Sequence, residues 1–136
     1  AADSAQTERA PQPLTLLLVE DQPDARRTLS RLLELEGHRV FTAASAAEAL
    51  KRFAESRPDA VICDLGLPDA DGCSVGARIR SLSGGEGVLL IALTGFGAED
   101  DIERTQKAGF NHHLVKPVRT AELNKLLAEV KCGEAQ

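Results

Sequence analysis

Five residues of this chain stand where an apolar run gives way to charge or hydroxyl. Glu20 and Asp21 follow LTLLLV (14–19), Asp64 follows AVIC (60–63), Thr94 follows VLLIAL (88–93) and Lys116 follows HHLV (112–115). This set of types suits phosphoryl chemistry. A carboxylate can attack phosphorus and become an acyl phosphate. A cation draws charge from the phosphoryl oxygens in the transition state, and Lys116 adds a second positive charge. The Thr94 hydroxyl and the backbone N–H groups at 66 and 95 can donate to those oxygens, because Gly66 and Gly95 allow close approach. Three carboxylates at a dry strand edge repel one another, so Lys116 or a divalent cation must offset them. Oxygen-only donors without a nearby Cys or His pair favour Mg2+ or Mn2+ over zinc. The residues read as Asp21 and Asp64 for direct ligands, the Gly66 carbonyl as a third, and waters completing the shell. Glu20 reads as holder of a metal-bound water, and Asp64 as the nucleophile.

Whether these residues meet depends on the elements that carry them. Segments 14–19 and 88–93 are continuously apolar, as strands covered on both faces should be. RVFTA (39–43), strand 59–63 and HHLV (112–115) complete five strands. Helical spacing fills the gaps. Residues 24–36 place Ala25, Leu29, Leu32 and Leu33 on one face and end at Gly37. Ala46, Ala49, Leu50 and Phe53 do the same over 45–56. Asp71 caps a helix burying Val75, Ile79 and Leu82, and SGGEG (83–87) is a turn. Glu99, Asp100 and Asp101 suit the first turn of a fourth helix ending at Gly109. Leu123, Leu126, Leu127 and Val130 stripe a fifth. Alternating strands and helices argue for a parallel sheet between two helical layers. In such a sheet the loops after the strands share one edge, where ligands bind. Topology therefore predicts that the five residues converge.

Bulk properties set the bounds. One domain fits 136 residues, with 43% apolar and 27% charged. Residues 1–13 read as a disordered tail or linker and 132–136 as a frayed C-terminal tail, leaving 14–131 as the folded domain. A net charge of −5 with no basic patch argues against nucleic acid. No apolar run reaches membrane-spanning length. Cys63, Cys73 and Cys132 are odd in number and lack paired spacing, so one reads as a core thiol and two as incidental, and a reducing, cytoplasmic setting fits. His38 reads as exposed. His112 and His113 point to opposite faces of a strand and form no chelating pair. His112 reads as structural, and His113 as either packing or switching. Asp24, Asp69 and Asp71 read as helix-start, turn and cap residues.

On Glu20, Asp21, Asp64, Thr94, Lys116 with Pro117, and the loop DLGLPDADG, the chain resembles the receiver domain of two-component response regulators over roughly residues 14 to 131. The resemblance implies a doubly wound five-stranded sheet in order 2-1-3-4-5 with helices on both faces, as in flavodoxin-like and CheY-like folds. It implies Mg2+-dependent phosphotransfer onto Asp64 from a partner histidine kinase or histidine phosphotransfer domain, followed by slow self-hydrolysis, rather than a turnover enzyme. Glu20 and Asp21 would be the acid pair, Thr94 the hydroxyl, and Lys116 with a cis Pro117 the cation. Thr94 and His113 would form the switch, with His113 where Tyr or Phe is usual. A changing face of helix 4, strand 5 and helix 5, with a weak homodimer through it, is implied as well. Gly66 and Phe96 occupy positions that affect water access to the phosphoryl group. GFNHHLVKPV and the linker-like start are similar to receivers fused behind hybrid sensor histidine kinases.

Three rivals remain at this level. A haloacid-dehalogenase-like phosphohydrolase would also use Asp64, but it wants an acid where Gly66 stands. A pseudo-receiver interaction module would leave the acid, hydroxyl and lysine set unused. A flavodoxin-like carrier would need a phosphate-cradling loop where EDQPD is acidic, and aromatic rings in a chain with no Trp or Tyr.

Overall fold

The computed structural model describes residues 13–82, 85, 87–95 and 99–130, with the backbone alone at 99–101. All but residue 13 of the expected tail at 1–13, the expected tail at 132–136 with Cys132, Phe96, and most of the 83–87 turn lie outside the described residues. Among the described residues ten elements alternate: β1 Thr15–Val19, α1 Pro23–Leu35, β2 Arg39–Ala43, α2 Ala46–Ser56, β3 Ala60–Asp64, α3 Gly72–Ser81, β4 Leu89–Thr94, α4 Glu99–Ala108, β5 His112–Val115 and α5 Thr120–Leu127. The strands form one parallel sheet in order β2-β1-β3-β4-β5, as the resemblance implied.

The sequence pattern explains the layering. All five residues of β3 are buried, because the central strand has helices on both faces. Alternate residues divide between two cores. Leu16, Leu18, Ile62, Ile91 and Leu93 pack with Leu33 of α1 and with Leu123 and Leu127 of α5. Leu17, Val19, Val61, Cys63, Leu90 and Ala92 face Ala49 and Phe53 of α2, Val75 and Ile79 of α3, and Phe110. Each large side chain fully withdrawn from water contributes about 1.5–3 kcal/mol.

Local signals set most boundaries. Ser45 caps α2 by accepting from the Glu48 N–H at 3.2 Å, and Asp71 caps α3 by accepting from the Cys73 N–H at 2.9 Å. Gly37 and Gly109 follow their helices at φ 102°, the left-handed region that favours glycine.

Four expectations are corrected. His38 is buried, 4% exposed, with Nδ1 accepting from the Leu14 N–H at 3.2 Å. Its ring closes the end of the sheet core beneath Leu14, a contact across 24 positions. On α1 only Leu33 is fully buried, whereas Leu29 is half-buried and Ala25 and Leu32 are exposed, because these three line an open groove rather than the closed core. Leu82 lies past the end of α3 and is exposed. Asp64 and Thr94 are the last residues of β3 and β4 rather than the first of the loops after them, because their backbones still pair across the sheet with Leu93 and Val115.

Candidate acceptor site

Parallel pairing brings the strand ends to one edge. Val19 is level with Cys63, Asp64 with Leu93, and Thr94 with Val115. Glu20, Asp21, Asp64, Thr94 and Lys116 thus arrive together, although up to 96 positions separate them in sequence (116 − 20). The register also puts His113 opposite Ala92 and Val115 opposite Thr94. Thr94 and His113 therefore share a face of the sheet. His112 lies on the other face, where Nε2 is 2.8 Å from Glu129 Oε1 beyond α5.

Asp64 is 7% exposed and has both oxygens engaged. Oδ1 accepts from the Gly66 N–H at 3.0 Å, and Oδ2 accepts from Lys116 Nζ at 2.8 Å. Lys116 Nζ is also 3.4 Å from Glu20 Oε1. The Lys116 N–H donates to the Thr94 carbonyl at 2.9 Å, which ties the lysine to the end of β4; the peptide to Pro117 is cis. Glu20 is 3% exposed, and its Oε2 accepts from the Gln22 N–H at 3.1 Å. Arg26 steadies the same turn by donating to the Glu20 and Asp21 carbonyls at 2.9 and 3.3 Å. The Thr94 hydroxyl is buried and reaches the Leu114 carbonyl at 3.4 Å, a long hydrogen bond.

The electrostatics record the crowding. Burial pushes the Glu20 carboxyl above its ordinary value. The Gln22 N–H pulls it back, Asp64 pushes it further and Lys116 opposes. For Lys116 burial acts downward, but the hydrogen bond and charge of Asp64, with Glu20 behind them, hold the ammonium above its ordinary value. Carboxylate oxygens of Glu20, Asp21 and Asp64 lie within 4.8 Å of one another. Three hard oxygen donors that close, one of them held high mainly by burial, fit a small divalent cation, and the cluster is able to coordinate Mg2+.

A cleft of about 540 Å³ opens over these groups, lined by Asp21, Asp64, Gly66, Asp71, Arg104 and Lys116 among others. Arg104 of α4 pairs with Asp71 across its mouth. Arg104, Gln22 and Arg26 are absent from the sequence reading. Gln22 acts through its backbone and Arg104 through a partner 33 positions away, so neither carries a local signal.

Fold and site together define a phosphoacceptor receiver domain. Residues 16–128 match the model of the response regulator receiver domain, and the chain belongs to that family. It is 37% identical over 116 residues to the "uncharacterized 14.6 kDa protein in sodA1 3′ region" of Leptolyngbya boryana, across 85% of this chain and 88% of that one. It is 38% identical over 108 residues to the transcriptional regulatory protein PrrA of Mycobacterium tuberculosis, across 79% of this chain. There it spans 46% of the relative, about half the length of a transcriptional regulator. Among solved structures it is similar to the receiver domain of the sensor histidine kinase PA1611 from Pseudomonas aeruginosa, which holds a magnesium ion in its active-site cleft. The TM-score is 0.79 at 35% identity, over 87% of this chain and 97% of that one. A putative response regulator from Chloroflexus aurantiacus aligns with TM-score 0.78 at 33% identity, over 89% and 97%. No described helix is long and apolar enough to cross a membrane.

Proposed function

We propose that Asp64 is the phosphoacceptor and that a partner phosphohistidine, on a histidine kinase or a phosphotransfer domain, is its donor. The observation that carries this reading is the setting of Asp64, a nearly buried carboxylate 2.8 Å from Lys116 and within 4.8 Å of two further acids. One carboxylate oxygen forms the O–P bond while the donor N–P bond breaks, and the imidazole departs with the electron pair. Glu20, Asp21, Asp64 and the Gly66 carbonyl would hold Mg2+, which neutralises phosphoryl charge when bound. The chain's own groups do the rest. The Gly66 N–H fixes the Asp64 rotamer. Acyl phosphate formation removes the carboxylate charge, so Lys116, one hydrogen bond away, becomes the nearest side-chain cation for the new phosphoryl oxygens. The long Thr94 hydrogen bond is the cheapest at the site to give up, which suits this hydroxyl to turn toward the phosphoryl group. His113, on the same sheet face, would feel that turn.

A second groove, of about 520 Å³, adjoins the cleft and shares Leu93 and Lys116 with it. Leu29 and Leu32 of α1 and Pro117 and Val118 line it. A donor helix seated there would present its phosphohistidine over Asp64.

Intact mass after treatment with acetyl phosphate and Mg2+ tests the acceptor. Wild type should gain one phosphoryl group, and Asp64→Ala none. Gain by the variant, or no gain by wild type, refutes the assignment. Repeated turnover of an aryl phosphate would instead favour a phosphohydrolase.

A further inference from the structure

The loop between β3 and α3, residues 65–71, is held at two places. At its base Gly66 and Asp71 form an antiparallel bridge, and the Gly72 N–H donates to the Leu65 carbonyl at 2.9 Å. At its tip Asp69 reaches out of the loop to the first turn of α2. Its Oδ1 accepts from the Ala46 N–H at 2.8 Å and its Oδ2 from the Ala47 N–H at 3.1 Å. These two amides hold the Asp69 carboxyl below the ordinary aspartate range, and the positive end of the helix favours its charge.

The helix has its own start signal without this residue. Ser45 accepts from the Glu48 N–H, and Glu48 Oε1 accepts from the Ala44 N–H at 2.8 Å, a reciprocal arrangement of the capping-box kind. The Asp69 contacts therefore join two elements rather than finish one. Leu67 and Ala70 on either side pack half-buried against the core. Between that anchored tip and Asp64 lies Gly66, which is exposed and has no side chain to hold it. Its N–H sets the rotamer of Asp64.

We propose that Asp69 is a positioning residue of the acceptor site: by tying the loop tip to α2 it holds Gly66, and through the Gly66 N–H the Asp64 carboxylate, in the attitude that phosphoryl transfer needs. The proposal rests on the reading of Asp64 as acceptor.

Asp69→Ala, Asp69→Asn and Ser45→Ala separate a tether from a cap. Each variant is compared with wild type below its unfolding transition, per folded molecule. One readout is the rate of phosphoryl uptake from acetyl phosphate with Mg2+. The other is the Gly66 amide resonance in metal-free protein, which needs no phosphoryl chemistry. Asp69→Ala should slow uptake about tenfold, the scale of a sub-ångström misplacement, and should move the Gly66 resonance. Asp69→Asn keeps an acceptor oxygen and should restore part of both, and it carries the test if the alanine variant does not fold. Ser45→Ala weakens the helix start and should leave both readouts at wild-type values. Uptake by Asp69→Ala at the wild-type rate overturns the proposal, as does an equal loss in Ser45→Ala. Failure of wild type to take up phosphate overturns the acceptor reading instead, and an unmoved Gly66 resonance sinks the tether alone.

Discussion

Replacing Asp21 with asparagine removes one negative charge from the cluster at nearly constant size. Lys116 reaches Glu20 and Asp64 at 3.4 and 2.8 Å, so Asp21 is the acid whose charge this lysine offsets least. Two unit charges at the observed limit of 4.8 Å repel by about 0.9 kcal/mol in bulk water and about 3.5 kcal/mol at an effective dielectric of 20. Asp21 is only half-buried at an open cleft, so the water figure is the better guide. Over two neighbours the relief is about 1–2 kcal/mol, or roughly 3–8 °C in midpoint for a domain of this size. The metal-free variant should thus be more stable than wild type. With Mg2+ at about ten times its Kd, wild type should gain about 1.4 kcal/mol, and the variant almost nothing. Thermal unfolding followed by circular dichroism, at neutral pH in chelator and in Mg2+, reads both effects. The metal-free gain should also shrink as potassium chloride rises. A metal-free variant less stable than wild type, or one with an undiminished response to Mg2+, would refute the reasoning.

Three further outcomes are expected. In Gly72→Ala the added Cβ would stand 2.6 Å from both the Asp64 carbonyl oxygen and Leu65 Cα. These are backbone atoms that cannot swing away, so urea unfolding should show a loss of about 2–3 kcal/mol, and phosphoryl uptake should slow. Leu18→Ala removes a fully buried side chain from the core under α1 and α5. It should lose about 3 kcal/mol in the same measurement, and a loss below about 1 would show that this core repacks. Acidification should expose His38. Burial, opposed by Glu36, holds its imidazole below the ordinary 6.5. Its contribution is therefore complete above pH 6.5 and is lost as pH falls through the folded value. Glu20 works in the opposite sense. Its folded value is raised above 4.5, so its contribution to metal-free stability is complete below 4.5 and is lost as pH rises through the folded value. Stability–pH curves of His38→Gln and Glu20→Gln should each flatten on their own side, and unchanged curves would contradict both assignments.

The legible parts of this protein are those whose signals are local. A continuous apolar run marks a strand covered on both faces, and β3 is buried along its whole length as AVIC followed by Asp64 predicts. Helical periodicity, Asp71 and the glycines after the helices mark boundaries, because capping is a contact over two or three residues. The expectation for α1 went too far because periodicity gives a direction and not a depth. Leu32 points along the predicted stripe yet stands over a groove, 41% exposed. His38 follows a glycine turn, where a polar ring ordinarily meets water, and only the end of the sheet 24 positions earlier encloses it.

Sequence by itself determined the alternation of strands and helices, and with it the placing of Glu20, Asp21, Asp64, Thr94 and Lys116 at strand ends, since parallel connections bring those ends to one edge. Tertiary structure alone decided which oxygen of Asp64 meets Lys116 and which meets Gly66, that burial drives the Glu20 carboxyl upward, and that Asp69 and Arg104 clasp elements far from their own. The reason is reach. A backbone pattern is written in neighbours a few residues apart, whereas a side-chain contact over a few ångströms depends on how whole elements come to rest against each other.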